Sequence, residues 1–354
     1  MHCYTGRGGA GSIRSMIWGL LLLISNDPAG ACSSFVLEHG GQLVMAKNLD
    51  WPVGDGLLLV NPAGRQETAH LGAVGDTLRW TARFGSVSFN MFGRGFPLGG
   101  MNEAGLVIEE MSYSPSRYPD DTSHRINEFQ WIQYHLDLSS SVPEVLASLD
   151  TLGLCSFFVK LHYLICDAAG RSAVVEFING KLMVYTGDDL VVPALTNNSY
   201  ANAIKYLHFH QNFGGERIVG DGPESPERFV RVASGLLHLK GRSRIDAVAE
   251  SFHLLENVAQ DDTQWSIVYE PRRRMITFRT MNNSQQRAID LMAIDFHDSA
   301  RLSRIDAPGS KLKWLPYTVS ENRSLLDRVM QRLMDIGELD MNDAATLKAA
   351  FLNI

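Results

Sequence analysis

The stretch Ala31-Cys32-Ser33 most narrows the folds and the chemistry open to this chain. A segment with the features of an export signal ends there, directly before a cysteine. Cleavage after Ala31 would make Cys32 the first residue of the mature chain, with a thiol and a free α-amine on one residue. An α-amine titrates at about 7.7–8.0, so it can act as general base for its own thiol near neutral pH. The sequence therefore predicts a nucleophile that needs no separate histidine.

Residues 1–31 have the parts of a secretory signal. Arg7 and Arg14 precede the apolar run 16–24, which is too short to span a bilayer, since that takes about 20 residues. Positions 29–31 hold small residues, which a signal peptidase recognises directly before its cleavage site. We expect cleavage after Ala31 and a periplasmic or secreted protein. A lipoprotein signal also ends before a cysteine, but Ala29 stands where such signals usually have leucine, and a lipid would occupy the thiol of Cys32.

Charge and composition limit the partners. The net charge of −7 argues against nucleic acid or an anionic membrane surface as the main partner. No second long apolar run follows the signal, so we expect no membrane span. A hydrophobic share of 45% is ordinary for a globular protein with a large core. Without a composition break, residues 32–354 are predicted to form a single domain, and a homo-oligomer is compatible with this composition.

The cysteines and histidines give few other leads. Cys32, Cys155 and Cys166 remain after signal removal, and an odd number in an exported protein indicates a thiol kept free. Cys155 and Cys166 could form a disulfide or could both be core residues. His208 and His210 lack a nearby acidic or cysteine partner, so we predict no metal site.

The hydrophobic patterns predict strands, two helices, strands, two helices, strands and a closing helix, which favours a layered α/β domain. The predicted strands are 35–37, 43–46, 57–60, 78–82, 156–166, 172–178, 181–186, 264–270, 275–281 and 286–295, and residues 101–108 are predicted to be a turn that leads into one more strand. The predicted helices are 129–138, one from 141, 225–240, 244–256 and 325–336.

Four short motifs follow Cys32 in order. They are Lys47-Asn48-Leu49-Asp50-Trp51, Gly100-Met101-Asn102-Glu103-Ala104-Gly105-Leu106, Leu195-Thr196-Asn197-Asn198 and Ser225-Pro226-Glu227-Arg228-Phe229. Each motif alone is a weak signal. Together, in register behind a cysteine at a predicted cleavage site, they resemble the choloylglycine hydrolase and penicillin V acylase family of linear amide hydrolases.

The resemblance implies a four-layer αββα N-terminal-nucleophile hydrolase fold, in which two stacked, mainly antiparallel sheets lie between helical layers. It also implies cleavage of a non-peptide amide through an acyl-enzyme, without a cofactor. By position, Cys32 matches the nucleophile and Asp50 the aspartate that holds the α-amine and the thiol. Asn197 matches the oxyanion-hole asparagine, and Arg228 the arginine that supports the site electrostatically.

One position departs from the family pattern, and another aligns with it only loosely. Lys47 stands where many members have arginine, so the positive charge is kept but the planar fork is lost. The position that often carries a second polar oxyanion or substrate contact falls near Ser112. Arg228 could instead be a surface residue paired with Glu224 or Glu227, and Asn197 could merely cap a strand end.

The residues themselves suit amide cleavage, which needs a nucleophile, a base, an acid for the leaving amine and a donor for the oxyanion. Cys32 could supply the first three and Asn197 the last, while Lys47 and Arg228 favour the thiolate. Loops 51–58, 85–97 and 112–124 are predicted to line a pocket for an apolar or aromatic acyl group. Their aromatic residues are Trp51, Phe89, Phe92, Phe96, Tyr113 and Tyr118.

The acyl group could belong to a bile-acid conjugate, phenoxyacetyl penicillin, N-acyl homoserine lactone or N-acyl ethanolamine. Trp51, Phe92, Ser112 and Tyr113 are the residues predicted to contact the substrate. An acyltransferase and a ceramidase-like amidase stay open as alternatives within enzymes. An inactive binding protein, lipid-anchored through Cys32, is the alternative outside them.

Overall fold

The computed structural model describes residues 31–69, 78–119 and 124–352. Apart from Ala31, the predicted signal segment lies outside the described residues. Among those described, no helix is long and apolar enough to cross a bilayer.

Two large antiparallel sheets form the centre of the molecule. The six-stranded sheet has the order β14 (Ala194–Leu195), β1 (Ser33–His39), β2 (Gln42–Asp50), β15 (Thr263–Glu270), β16 (Met275–Thr280) and β17 (Asn283–Asp290). The nine-stranded sheet has the order β13 (Lys181–Thr186), β12 (Ser172–Ile178), β11 (Leu161–Cys166), β8 (Val107–Ser112), β7 (Pro97–Asn102), β6 (Ser86–Asn90), β3 (Leu57–Asn61), β18 (Arg301–Arg304) and β19 (Leu315–Pro316). Two small sheets pair β4 (Gln66–Thr68) with β5 (Arg79–Thr81), and β9 (His124–Asn127) with β10 (Leu152–Cys155).

Helices cover the outer faces of both sheets. The described helices are α1 (Glu128–Leu138), α2 (Val142–Ser148), α3 (Tyr200–Leu207), α4 (Ser225–Lys240), α5 (Ala247–Asn257), α6 (Val319–Asp335) and α7 (Met341–Leu352). Helix α1 packs on β7 and β8, whereas α4 and α5 pack on β1 and β2. The predicted four-layer αββα arrangement is confirmed.

Aromatic side chains fill the space between the two sheets. Phe89 of β6 lies with its ring centroid 6.3 Å from that of Trp265, 6.1 Å from Tyr269 and 5.6 Å from Phe278. The prediction that Phe89 lines the substrate pocket is therefore wrong. It sits inside a strand, where its side chain faces the other sheet.

Most predicted elements are present, but the strands β4, β6, β7, β9, β10, β18 and β19 were not predicted, and two helices also differ from the prediction. Helix α3 occupies residues for which the sequence predicted a polar loop, and α7 follows the predicted closing helix α6. Cys166 carries a free, buried thiol, so it is not paired with Cys155.

The Gly100–Leu106 motif forms the turn between β7 and β8. The Oδ1 atom of Asn102 accepts hydrogen bonds from the backbone N–H groups of Ala104 and Leu106, at 3.1 and 3.0 Å. Its Nδ2 donates to the carbonyl groups of Leu136 and Ser139, at 2.9 and 2.7 Å, and so ties the turn to the end of α1. Gly105 closes the turn at φ +84°, where a Cβ would lie 2.5 Å from the Pro271 carbonyl oxygen. The motif is structural.

Replacing Asn102 with alanine should therefore destabilise the fold strongly. The Asn102→Ala change leaves four backbone groups without this partner, and each unsatisfied buried group costs about 1–3 kcal/mol. We expect the free energy of unfolding to fall by at least about 3 kcal/mol. Urea unfolding measures this loss, and a change within about 0.5 kcal/mol, the range of ordinary surface substitutions, would contradict the structural role.

Candidate active site

Cys32 directly precedes β1, at the edge where β1 begins and its neighbour β2 ends. The register pairs Ser33 with Asn48, which places Cys32 beside Leu49 and Asp50 at the end of β2. Its side chain is only 2% exposed. Burial raises the pKa of the Cys32 thiol to about 12, although Lys47 and the backbone of Asp50 act in the opposite direction. With Ala31 still attached, Cys32 is therefore a protonated thiol.

Asp50 is the buried carboxylate nearest the end of β2. Its Oδ1 accepts a hydrogen bond from the Thr263 hydroxyl at 2.5 Å, while its Oδ2 is buried without a hydrogen-bond partner in the described residues. Burial raises the pKa of Asp50 to about 7, even though Thr263 and Arg228 lower it. The unpartnered oxygen can therefore accept a hydrogen bond from a new donor.

Arg228 reaches the start of β1 from the first turn of α4. Its Nη1 donates to the Cys32 carbonyl at 2.6 Å, to the Ser33 hydroxyl at 2.7 Å and to the Ala31 carbonyl. The side chain is 1% exposed, and burial lowers the pKa of its guanidinium. Arg228 is therefore not a surface residue, and its guanidinium holds the backbone on both sides of the bond between residues 31 and 32.

Asn197 lies just after β14, between Arg228 and β8. Its Oδ1 accepts from Nη2 of Arg228 at 3.0 Å, and its Nδ2 donates to the Ser112 carbonyl at 2.9 Å. An amide nitrogen has two hydrogens, so one remains for another acceptor. Asn197 is therefore more than a cap for the strand end.

Lys47 is buried between two acidic residues. Its Nζ donates to the backbone carbonyl of Glu110 and lies 3.5 Å from the Glu109 carboxylate and 3.7 Å from that of Glu110. Burial lowers the pKa of Lys47, but its interactions with Cys32, Glu110 and Glu109 outweigh burial and raise it. A lysine with two acidic neighbours thus keeps a positive charge near the thiol.

A small cavity opens beside the Cys32 thiol. Its volume is about 40 Å³, and its lining is mostly apolar. The lining residues are Cys32, Leu49, Trp51, Met91, Phe92, Leu98, Glu110, Ser112, Phe129, Phe158, Val159 and Leu161. Three of the four residues predicted to contact substrate, Trp51, Phe92 and Ser112, are therefore brought together here.

Tyr113 lies elsewhere. Its ring stacks on His162 at 5.1 Å between centroids, and it does not line the cavity. Tyr118, in the same predicted loop, packs edge-on against Phe177. Consecutive residues of an extended segment point to opposite sides, which is why Ser112 reaches the cavity and Tyr113 does not.

Sequence reasoning missed two groups of residues near Cys32. Thr263 reaches Asp50 because β15 pairs with β2, a contact between positions far apart in the chain. Phe129, Phe158 and Glu110 line the cavity from α1, the segment before β11, and β8. The unusual pair Glu109-Glu110 in an otherwise apolar strand was the one signal available for this second group.

Two stacked antiparallel sheets between helices, with a buried cysteine at the start of the first strand, define an N-terminal-nucleophile hydrolase fold. Solved structures with this architecture superpose well on the chain. Penicillin V acylase from Agrobacterium tumefaciens gives a TM-score of 0.68 at 24% identity, over 81% of this chain and 99% of that one. A mutant of conjugated bile acid hydrolase from Clostridium perfringens gives 0.64 at 20% identity, over 81% and 97%.

The family model described as "Linear amide C-N hydrolases, choloylglycine hydrolase family" matches residues 32–304. The chain therefore belongs to the choloylglycine hydrolase family and is a linear amide C–N hydrolase. Penicillin V acylase from Pectobacterium atrosepticum is 26% identical over 261 residues, 67% of this chain and 68% of that protein. A bile salt hydrolase/transferase from Clostridium perfringens is 26% identical over 239 residues, 54% and 71% of the two chains.

Proposed function

We propose that this protein is an exported amide hydrolase in which Cys32, freed by cleavage after Ala31, attacks the carbonyl carbon of an N-acyl amide. The observation that carries the proposal is the set of groups around Cys32, whose thiol borders a small apolar cavity and is influenced by Asp50. Asn197 is bonded to Ser112, which also lines that cavity, and to Arg228, which holds the Cys32 carbonyl. The family match, which begins at residue 32, supports the same start of the mature chain.

Cleavage after Ala31 would change the electrostatics of the site. The new α-ammonium adds a positive charge on Cys32 itself, which lowers the pKa of the thiol. The buried Oδ2 of Asp50 suits this ammonium as a hydrogen-bond acceptor. Arg228 would lose the Ala31 carbonyl but keep the Cys32 carbonyl and the Ser33 hydroxyl, which fix the new chain end.

The reaction then has two steps. The α-amine takes the thiol proton, the sulfur bonds to the substrate carbonyl carbon, and the Nδ2 of Asn197 donates to the oxyanion. The C–N bond breaks as the ammonium protonates the leaving amine, which leaves a thioester on Cys32. Water attacks the thioester with the amine as base, the C–S bond breaks and the carboxylic acid departs.

The cavity favours a flat, apolar acyl group. Its rings from Trp51, Phe92, Phe129 and Phe158 suit stacking on an aromatic acyl group. A volume of about 40 Å³ is small beside the roughly 300 Å³ or more of a pocket for a drug-sized ligand. Phenoxyacetyl amides such as penicillin V are therefore the first substrates to test, and steroid conjugates the second, since one relative is a bile salt hydrolase/transferase.

The experiment compares phenoxyacetyl and cholyl amides of the same amine, using the protein exported from its own full-length gene. We expect release of the amine, with a higher kcat/KM for the phenoxyacetyl amide. Added amine acceptors separate hydrolysis from acyl transfer, because a transferase makes a new amide in place of the acid. Absence of turnover with every amide, in a folded protein that begins at Cys32, would contradict the proposal.

Asn197→Ala should lower kcat by about 10²–10³ with little change in KM, because the lost donor acts on the oxyanion. The matched control is Asn198→Ala, since the Asn198 side chain accepts a hydrogen bond only from its neighbour Ser199 in the described residues. Steady-state kinetics with the phenoxyacetyl amide measure both variants. Equal losses in the two variants would show that Asn197 has no special role.

A further inference from the structure

The wall of the cavity beside Cys32 is part of a larger group of phenylalanine rings. Phe92 and Phe158 line the cavity, and their ring centroids lie 5.3 Å apart. Phe351, near the end of α7, packs against both rings and does not itself line the cavity. We call Phe92, Phe96, Phe157, Phe158 and Phe351 the phenylalanine cluster.

Phe351 contacts every other member of the phenylalanine cluster. Its ring stacks on Phe92 at 4.9 Å and 8° between planes, and meets Phe158 edge-on at 5.5 Å. It also meets Phe96 at 4.7 Å and Phe157 at 5.6 Å. Its side chain is 1% exposed. Phe351 therefore fills the space into which Phe92 and Phe158 would otherwise retreat.

Helix α7 reaches this place as part of a C-terminal helix pair with α6. The family match ends at residue 304, so the helix pair (319–352) lies outside it. The pair is nevertheless fixed to the segments that border the cavity. Arg328 and Arg332 both bind the carboxylate of Asp55, which is only 6% exposed. The Oδ1 of Asn322 accepts from the backbone N–H of Arg94 at 2.8 Å.

These contacts place α6 against two of the loops that carry cavity residues. Asp55 follows Trp51, and Arg94 follows Met91 and Phe92 in the loop between β6 and β7. The second helix, α7, is joined to α6 by the ion pair of Lys348 with Asp327. The C-terminal helix pair is thus a fixed outer layer over the apolar end of the cavity.

We propose that Phe351 is a specificity-determining residue, which sets the size of the acyl group by holding Phe92 and Phe158 against the cavity. This inference rests on the proposed function, because it takes the cavity as the acyl site. Phe351 acts through the two wall residues, so it is a positioning residue rather than a catalytic one. Close-packed interiors leave no room for a side chain to move unless a neighbour yields.

Removing the Phe351 ring gives the rings of Phe92 and Phe158 space to move away from the cavity. The hole left by a large-to-small substitution relaxes only in part, so the remaining space adds to the small cavity. Acyl groups too long for the wild type then fit, while the phenoxyacetyl group loses the wall that positions it. The change in preference follows from the wall and is separate from any loss of overall stability.

The test measures kcat/KM for two amides of the same amine, one phenoxyacetyl and one with a second phenyl ring on the acyl group. One extra group in an apolar pocket is worth about 10–200-fold. We therefore expect Phe351→Ala to raise the ratio of the two-ring to the phenoxyacetyl substrate by at least about 10-fold. Phe351→Trp, which keeps a ring there, should leave the ratio at or below that of the wild type.

Leu347→Ala is the matched control, because Leu347 is buried on the same helix one turn earlier. Its loss weakens α7 without removing a ring from the phenylalanine cluster, so the ratio should stay within about two-fold of the wild type. A chain ending at Asp340, which lacks α7, should show the same change of preference as Phe351→Ala. Unfolding midpoints identify any variant that is not folded, and Phe351→Leu then replaces it.

Two outcomes distinguish this inference from the proposed function. An unchanged ratio in folded Phe351→Ala, together with an inactive Cys32→Ala, overturns only the role of Phe351. Undiminished turnover by Cys32→Ala overturns the proposed function, whatever the ratio. An equal shift in Phe351→Ala and Leu347→Ala also counts against Phe351, because the effect would then belong to helix packing.

Discussion

Cys32→Ala is expected to abolish amide hydrolysis, with kcat lower by a factor on the order of 10⁶, as for other lost nucleophiles. The reason is that the thiol forms the bond to the acyl group and the same residue supplies the base. Cys32→Ala keeps the α-amine but has no atom that can form a thioester. Single-turnover and steady-state assays with the phenoxyacetyl amide measure the loss.

Cys166→Ala is the matched control for this prediction. Cys166 is also a buried free thiol, but it lies in β11 and not at the cavity. Burial raises the pKa of its thiol as well, so it offers no reactive thiolate. We expect Cys166→Ala to keep near-normal turnover. A loss of turnover as large as that of Cys32→Ala would contradict the assignment of Cys32 as the nucleophile.

Asp50→Asn is expected to lower kcat/KM by about 10²–10⁴, the range for loss of acid–base function. The carboxylate oxygen that has no partner in the described residues is the acceptor we assign to the Cys32 α-amine. Asparagine keeps the shape but not the charge. The contact with Thr263 can persist, so the fold should be retained.

The pH dependence tests the same interaction. With Ala31 attached, burial raises the pKa of Asp50 to about 7. A neighbouring ammonium lowers that value, and the carboxylate in turn raises the pKa of the α-amine. Since the amine must be neutral to act as base, activity falls as the pH drops below its pKa. Asp50→Asn removes the carboxylate, so the acid limb of the residual activity should move to lower pH.

Asp262→Asn is the control for Asp50→Asn. Asp262 also carries a negative charge near Asp50 and raises its pKa, but its carboxylate is not assigned to the amine. Its replacement should change kcat/KM by less than about three-fold, because Asp262 is partly exposed and solvent screens its charge. Two results would contradict the assigned contact between Asp50 and the α-amine of Cys32. One is a large loss of kcat/KM in Asp262→Asn, and the other is an acid limb of the pH profile that stays in place in Asp50→Asn.

The sequence predicted many of the strands and the position of Cys32 because local signals define both. Alternating and continuous apolar runs mark the strands, and a glycine at positive φ marks the turn after β7. Within Lys47–Trp51, however, neighbouring side chains point to different parts of the molecule. The charges of Lys47 and Asp50 act on the thiol of Cys32, whereas Asn48 donates to the Leu255 carbonyl and helps to dock α5. A motif alone does not separate these roles.

The cavity wall could not be read from the sequence. Phe129 and Phe158 come to Phe92 from other elements, because the nine-stranded sheet brings α1 and β11 beside β8. Tyr113 was predicted there but faces His162. Proximity in three dimensions depends on strand order, and strand order is a non-local property that short patterns do not encode.

Helix α7 gave a weak signal for the same reason. The residues Met341–Leu352 have only a weak amphipathic pattern. The role of Phe351 depends on its contacts with four rings that are distant in the sequence. By contrast, the amphipathic spacing of Leu325, Val329 and Leu333 already predicted α6, and all three are buried. Packing partners, rather than local pattern, decide what α7 does.

The most direct test of the account is a mass measurement on the exported protein, quenched in acid during turnover of the phenoxyacetyl amide. Intact mass and peptide mapping then show both where the chain begins and which residue carries the acyl group. The account predicts a chain that begins at unmodified Cys32 in the resting protein and a phenoxyacetyl group on the sulfur of Cys32 in the quenched sample. A chain that begins elsewhere, a lipid on Cys32 or an acyl group on another residue would contradict it.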